Sequence, residues 1–366
     1  ANEIFATIFN MIISQQVFAD NISTKEGLVG EARVDGGLYG DTKLYYATDA
    51  LKSHPWGGDN EAGNLLALDR PKDPSCQKVV MDVFRQIRLT VDNYLTKRAW
   101  SNEGAFSEFT TVMTGWLGDT KKVYDITLYN SFIGTNVSAA ARATEQVDIT
   151  TAVGSATGEE AARIEAQTIA TDIANLIDDM NDITRDFNDY GYLRAVDKSR
   201  IRIVWNNKWI NKITKLDLPT IYHKDVMDKF GEDVMNARFF GNINASAGTT
   251  AAANSDVRSM YEMDYQVANL AADPRAELYP DGNYYVHVFP GDLLPNSTGY
   301  LAGATYTEDA TIICKVMVKL PPYMSAFQVQ TSFFNPRSLT DTKFLTFGHN
   351  TIEHLYNYPF ITVVAI

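Results

Sequence analysis

The sequence predicts an α+β fold, and three observations carry that reading. Two stretches repeat apolar residues at helical spacing: Phe106, Phe109, Met113, Trp116 and Leu117, then Ile169, Ile173, Leu176, Ile177, Met180 and Ile183. Val79 to Leu89 alternates Val79, Met81 and Val83 with Lys78, Asp82 and Arg85, the period of a strand with one buried face. Ile312 to Val318 is almost continuously apolar, the pattern of a central strand covered on both faces.

The elements follow in order. Ala1 to Phe18 is apolar, with Glu3 where an export signal carries positive charge, and too interrupted for a membrane span. It reads as a helix or arm packing on a neighbouring subunit. Gly27 to Gly63 holds eight of the chain's 23 glycines, with Leu38, Tyr39, Leu44, Tyr45 and Tyr46 between them. Glycine loosens the backbone and tyrosine supplies contact area, so an extended β-arm or hairpin with little core of its own is expected. A strand over 79–89 and a long or broken helix over about 103–133 come next.

Residues 134–157, small and polar, read as a hinge. Thr157-Gly158-Glu159-Glu160 has capping-box spacing and opens a core helix of about seven turns, with Phe187 extending its stripe and Gly191 ending it. Beyond it lie a strand at 201–205, a short helix at 223–230, and a mobile loop at 241–255. Strands follow at 284–289 and 311–320, and a last one at 360–366 must pair in a sheet to satisfy its backbone.

Length and composition allow one large domain or two ordinary ones, with ample apolar material for a core. The net charge is −13, from 45 acids and 32 bases. That balance argues against a nucleic-acid-binding surface, although an acidic wall would leave nearby DNA mobile; plain solubility explains it as well. Cys76 and Cys314 make no disulfide framework and fit a reducing compartment.

No catalytic or metal motif emerges. His349 and His354 are five apart and do not share a helical face. Asp186, Asn188, Gly191 and Asp197 occupy calcium-loop positions, but Tyr190 takes a ligand place and Asp197 replaces the bidentate glutamate, so a solvated helix face is the better reading. No pair of acids is singled out for glycoside hydrolysis. No enzyme, cofactor, catalytic residue or metal is expected.

The segment order resembles major capsid proteins of small tailed bacteriophages with the Hong Kong 97 fold, close to the picovirus or Salas-phage-like podophages. The likeness is carried by Ala105-Phe106-Ser107-Glu108-Phe109-Thr110-Thr111-Val112, by Ala174-Asn175-Leu176-Ile177-Asp178 through Lys198-Ser199-Arg200-Ile201-Arg202-Ile203-Val204, and by Thr346-Phe347-Gly348 to Ile366. It implies an N-terminal arm (1–29), an extended loop (30–75), a peripheral domain with a spine helix (76–149), an axial domain (150–324) and a return to the peripheral domain (325–366). It further implies hexamers and pentamers of an icosahedral head around double-stranded DNA, without sequence-specific contact and without a membrane. A scaffolding protein and a portal protein are the implied partners, with assembly in the host cytoplasm and residence in the virion. On that reading Phe5, Ile8, Phe9, Leu38, Tyr39, Tyr45 and Tyr46 are the expected subunit-interface residues. A tail or ring component of the virion, and more remotely a carbohydrate-active enzyme or adhesin, are the alternatives.

Overall fold

The computed structural model describes residues 26–37, 40–54, 68, 70–92, 103–214, 233–244, 257–295 and 305–366. In chain order the elements are α1 (Gly27–Ala32), β1 (Arg33–Asp35), β2 (Thr42–Ala47), β3 (Ser75–Asp92), α2 (Glu103–Thr135), β4 (Thr144–Val147), α3 (Ile149–Val153) and α4 (Glu159–Asn181). After a 3-10 turn at Lys198–Arg200 come β5 (Arg202–Asn206), α5 (Asn207–Thr214), β6 (Asp233–Met235), a second 3-10 turn at Ala237–Phe239, and β7 (Gly241–Asn244). The rest is β8 (Val257–Ser259), β9 (Met263–Val267), β10 (Glu277–Leu278), β11 (Tyr284–Val288), β12 (Thr305–Glu308), β13 (Ile312–Met317), β14 (Tyr323–Asn335), β15 (Thr340–Asn350) and β16 (Phe360–Ala365). The fold is α+β, as expected.

Two compact units share the chain. The first takes residues 1–41, 80–129 and 323–351, and the second takes 42–79, 130–322 and 352–366. In the first, the strand order is β1-β14-β15-β3, and β15 runs antiparallel to both neighbours. The pairing is long: Thr340 faces Asp92 at one end of β15 and His349 faces Val83 near the other. Met81, Leu345 and Phe347 of the sheet and Tyr124 and Leu128 of α2 are buried, and the Tyr124 ring meets Phe347 edge-on at 5.4 Å.

The second unit is built on β4-β16-β13-β5-β6, with β13 in the middle and all six of its residues buried. The apolar stripe of α4 (Ile169, Ile173, Leu176, Ile177 and Met180) packs on this sheet with Ile203, Val316 and Val363. Each such side chain contributes roughly 1.5–3 kcal/mol by leaving water. Two three-stranded sheets, β7-β12-β8 and β10-β11-β9, complete the unit, the latter over a small core of Tyr265, Val286 and Val288. β2 hydrogen-bonds to β3 as an edge strand.

Several expectations change. Residues 134–157 are more than a connector, since they contain β4 and α3. The capping box does not form: Gly158, at φ +68°, is the residue before α4, and no side chain caps the helix. Thr157 sits one place too early to reach the free N–H groups. The helix also stops at Asn181 rather than near Gly191, because Thr184 and Arg194 exchange backbone hydrogen bonds and pull the chain out of helical geometry. Gly27–Ala32, placed in an extended arm, is helical. The expected helix at 223–230, the apolar segment 1–18 and residues 245–255 of the expected loop lie outside the described residues, while the start of that loop, Gly241–Asn244, is the strand β7, paired with β12. Among the described residues no helix is long and apolar enough to cross a membrane.

Candidate functional site

Each unit buries a polar cluster, and chemistry would have to start there. In the first, Asp125 on α2 accepts from Tyr323 Oη at 2.7 Å, Lys121 Nζ at 2.6 Å and Arg33 at 3.3 Å. Beside it Tyr124 Oη lies 2.7 Å from His349 Nε2, and His349 Nδ1 lies 2.8 Å from the Asn350 carbonyl. That geometry puts the imidazole proton on Nδ1, and burial holds the His349 pKa below its ordinary value. Burial and the adjoining Asp125 push the Tyr323 phenol far up. Neutral imidazole, neutral phenol and a paired carboxylate form a closed set that fixes Arg33, α2 and β14–β15 together.

In the second unit Asn136, Ser138, Asp189 and His354 meet. Asn136 Nδ2 donates to His354 Nδ1 at 2.8 Å, His354 Nε2 donates to Asp189 at 2.7 Å, and Ser138 donates to the other Asp189 oxygen. Burial raises the Asp189 carboxyl, but the bonds from His354 and Ser138 outweigh it and leave the pKa lowered. Serine, histidine and aspartate are present, yet in the wrong order for nucleophilic catalysis. The serine touches the carboxylate, and both imidazole nitrogens are already engaged, so no base is aimed at the hydroxyl. Lys315 continues the network from β13, donating to the Asn136 carbonyl at 2.8 Å and Thr362 Oγ1 at 2.7 Å. Its burial, without a carboxylate in contact, pushes its pKa down to about 7.

Among the described residues no group of three or more histidine, cysteine or acidic side chains is placed to hold a metal. In the calcium-like run the Asn188 amide bonds to the backbone of Tyr192, donating to its carbonyl and accepting from its N–H. Arg142 pairs with Asp179, and Lys198 with Asp178, on the solvated end of α4.

Part of the exposed apolar surface lies on strands. Of the expected interface residues, Phe5, Ile8, Phe9, Leu38 and Tyr39 lie outside the described residues. Tyr45 and Tyr46 alternate across β2. Tyr45 is half-buried, with the Lys319 ammonium 5.4 Å from its ring, and burial raises its phenol pKa. Tyr46 is 65% exposed, and Leu44 faces the same way. The next residues are held on their own unit. Arg194 donates to the Thr48 carbonyl, while Arg185 and the Leu193 N–H bind Asp49, whose pKa falls to about 2.

A second exposed region was not read from the sequence. Beyond Ser325, where its pairing with β1 ends, β14 carries Val329, Phe333 and Phe334 into solvent. The available signal was Ser325 to Asn335, eleven residues without a charge, bounded by the turn-forming Pro336.

No family model and no curated protein sequence matches the chain. Solved structures do. A chain in the structure of the head fiber and inner core protein gp22 of native bacteriophage P68 superimposes with a TM-score of 0.64 at 9% identity, over 96% of this chain and 87% of that one. A chain in the capsid structure of Staphylococcus phage Andhra gives 0.59 at 9% identity, over 97% and 89%. At such identity the likeness is one of fold, and it runs almost end to end: the chain shares its α+β fold with a chain in each of these two bacteriophage structures.

Proposed function

We propose that this chain is the major capsid protein of a small tailed bacteriophage, with the Hong Kong 97 fold, forming hexamers and pentamers of an icosahedral head around double-stranded DNA. The observation that carries the reading is the near full-length likeness to a chain in the capsid structure of phage Andhra. Two features of the molecule support it. The members of its two described buried polar clusters are hydrogen-bonded to one another and to neighbouring backbone. Several of its exposed apolar residues, among them Tyr46, Val329, Phe333 and Phe334, sit on strands, where backbone pairing between copies is available.

On this reading the second unit supplies the axial domain around each ring, and the first supplies the peripheral domain. The acidic surface keeps packaged DNA mobile rather than bound. A scaffolding protein and a portal protein are the partners during assembly in the host cytoplasm, and the virion is the final location. A second reading, another structural component of the particle, is favoured by the head-fiber and inner-core description of the P68 structure.

Electron microscopy with light scattering on the recombinant chain, alone and with its scaffolding protein, separates the two. Closed shells, or hexamer and pentamer rings, are the expected result. Tubes of fixed width would favour the second reading, and a monomer that persists with the scaffold would overturn both.

A further inference from the structure

Edge strands expose unpaired N–H and C=O groups, and proteins commonly guard them with charge. Among the described residues that rule holds around most of the sheets. β1 carries Arg33 and Asp35, β2 Lys43, β4 Glu145, β6 Asp233, β8 Arg258, β9 Asp264 and β10 Glu277. β7 lacks a charge but is only four residues long. The far part of β14 breaks the rule at length. β1 covers only Tyr323–Ser325, so Gln328 to Asn335 forms the outer edge of the sheet among the described residues.

That stretch reads Gln-Val-Gln-Thr-Ser-Phe-Phe-Asn, with no charge, no proline and no glycine. Strand alternation sends Val329, Thr331 and Phe333 to one face and Gln330, Ser332 and Phe334 to the other. Val329 is 40% exposed, Phe333 61% and Phe334 50%. An open, neutral, β-prone edge with aromatic side chains on both faces is a template for another strand.

We propose that its occupant is the same strand of a second copy, paired antiparallel about a two-fold axis near Thr331 and Ser332. Charge selects this partner. A two-fold contact sets each side chain near its own copy, so any charge close to the axis meets its like; this strand has none. Copies of a chain with net charge −13 repel one another elsewhere, and they can meet most readily along a neutral edge. The inference deepens the shell reading and rests on it for the other contacts of each copy.

The test uses the full chain with Thr331→Lys or Thr331→Glu, expressed singly and together, and follows assembly by sedimentation. Each variant alone places like charges across the axis at every such contact, so assembly falls by about tenfold or more. Co-expression pairs Lys with Glu and restores it to within about threefold of the natural chain. Wild-type assembly by either variant alone overturns the proposal. So does failure of the mixture when both variants melt like the natural chain; another segment or another protein would then cover the edge.

If a charged variant misfolds, Thr331→Cys in a Cys76→Ser background replaces it, treated with a short bis-maleimide. A covalent dimer is expected, and assemblies without it overturn the pairing. The two readings fail separately. Dimers bridged at position 331 with no closed particle would sink the shell reading alone, whereas closed particles from Thr331→Lys at full yield would sink the pairing alone.

Discussion

β13 and the far half of β14 both pair antiparallel, β13 with two neighbours and that half of β14 with one, and they serve opposite ends. β13 buries all six residues between β16 and β5, and its one charged side chain, Lys315, finds two oxygen acceptors. Among the described residues, β14 beyond Ser325 exposes both faces and one edge, and five of the eight residues from Gln328 to Asn335 are polar. Composition and neighbours together decide whether a strand stabilises its own chain or is left to join another. The second unit invests its apolar strands in a closed core, and the first leaves part of its sheet incomplete.

The sharpest way to break this comparison lies on α2, whose first 27 residues belong to the first unit and whose last six belong to the second. Gly134 packs backbone to backbone on the 3-10 turn at Ala237–Phe239, and a Cβ there would stand 1.9 Å from the Phe239 carbonyl oxygen. Gly134→Ala should cost about 3 kcal/mol in the second unit, since a backbone neighbour cannot rotate away. Gly115 has nothing within 4 Å of the same construction. Gly115→Ala should instead stabilise the first unit by about 1 kcal/mol through helix propensity. Denaturant unfolding of both variants checks the pair. Equal effects would mean that the two parts of the helix are packed alike, and the contrast would fall.

The same difference explains what was legible beforehand. The stripe of α4, the continuous apolar β13 and the terminal β16 are set by burial, and burial writes a period into the sequence, whereas Trp116, on the stripe expected over α2, is 55% exposed. β14 and β15 escaped because their far halves are held by pairing, β14 exposed and β15 half-buried throughout, so no alternation marks an inside. Val329, Phe333 and Phe334 carry no local mark for that reason, whereas Tyr46, exposed on β2, stands out among the glycines as an expected contact residue. The Asn136–His354–Asp189 network had no local signal, because its members lie 165 and 218 residues apart along the chain. The capping box failed differently: the right residues stood one position from where the helix begins.

Titration sharpens the comparison one pH unit at a time. Lys315 has a folded-state pKa of about 7 against 10.5 when unfolded. Below about 7 both states hold the proton; between the two values only the unfolded chain does, so stability of the second unit rises with pH across that window. His287 acts oppositely. Its hydrogen bond to Glu262, set against burial and joined by the bond to Asp264, raises its pKa to about 9, so its contribution is lost as pH rises through that value. Its side chain is 43% exposed, so water screens that term.

Comparing Lys315→Met with the natural chain removes His287 from the difference. The gap should change by about 1.4 kcal/mol per pH unit inside the Lys315 window, read as hydrogen exchange at β13 amides. In the first unit, burial lowers the His349 pKa, so its contribution is complete above 6.5 and fades as pH falls toward the lowered value. Exchange at β15 should therefore respond on the acid side, where β13 is indifferent to Lys315. A flat Lys315→Met difference across the window would show that the buried amine stays charged.

The smallest effect comes from the hairpin tip. Leu339 holds φ +55°, a left-handed conformation that an L side chain adopts with strain, while Arg337 N–H bonds to the Asn335 side chain to close the turn. Leu339→Gly relieves the strain but gives the unfolded chain more freedom, so the net gain should be no more than about 1 kcal/mol for the first unit. The substitution also removes an exposed leucine without touching Gln328 to Asn335. If copies associate through the strand edge, assembly by Leu339→Gly should match that of the natural chain while the melting temperature rises slightly. Loss of assembly with the turn intact would move the contact from the edge to the tip, because only the leucine side chain distinguishes the two proteins.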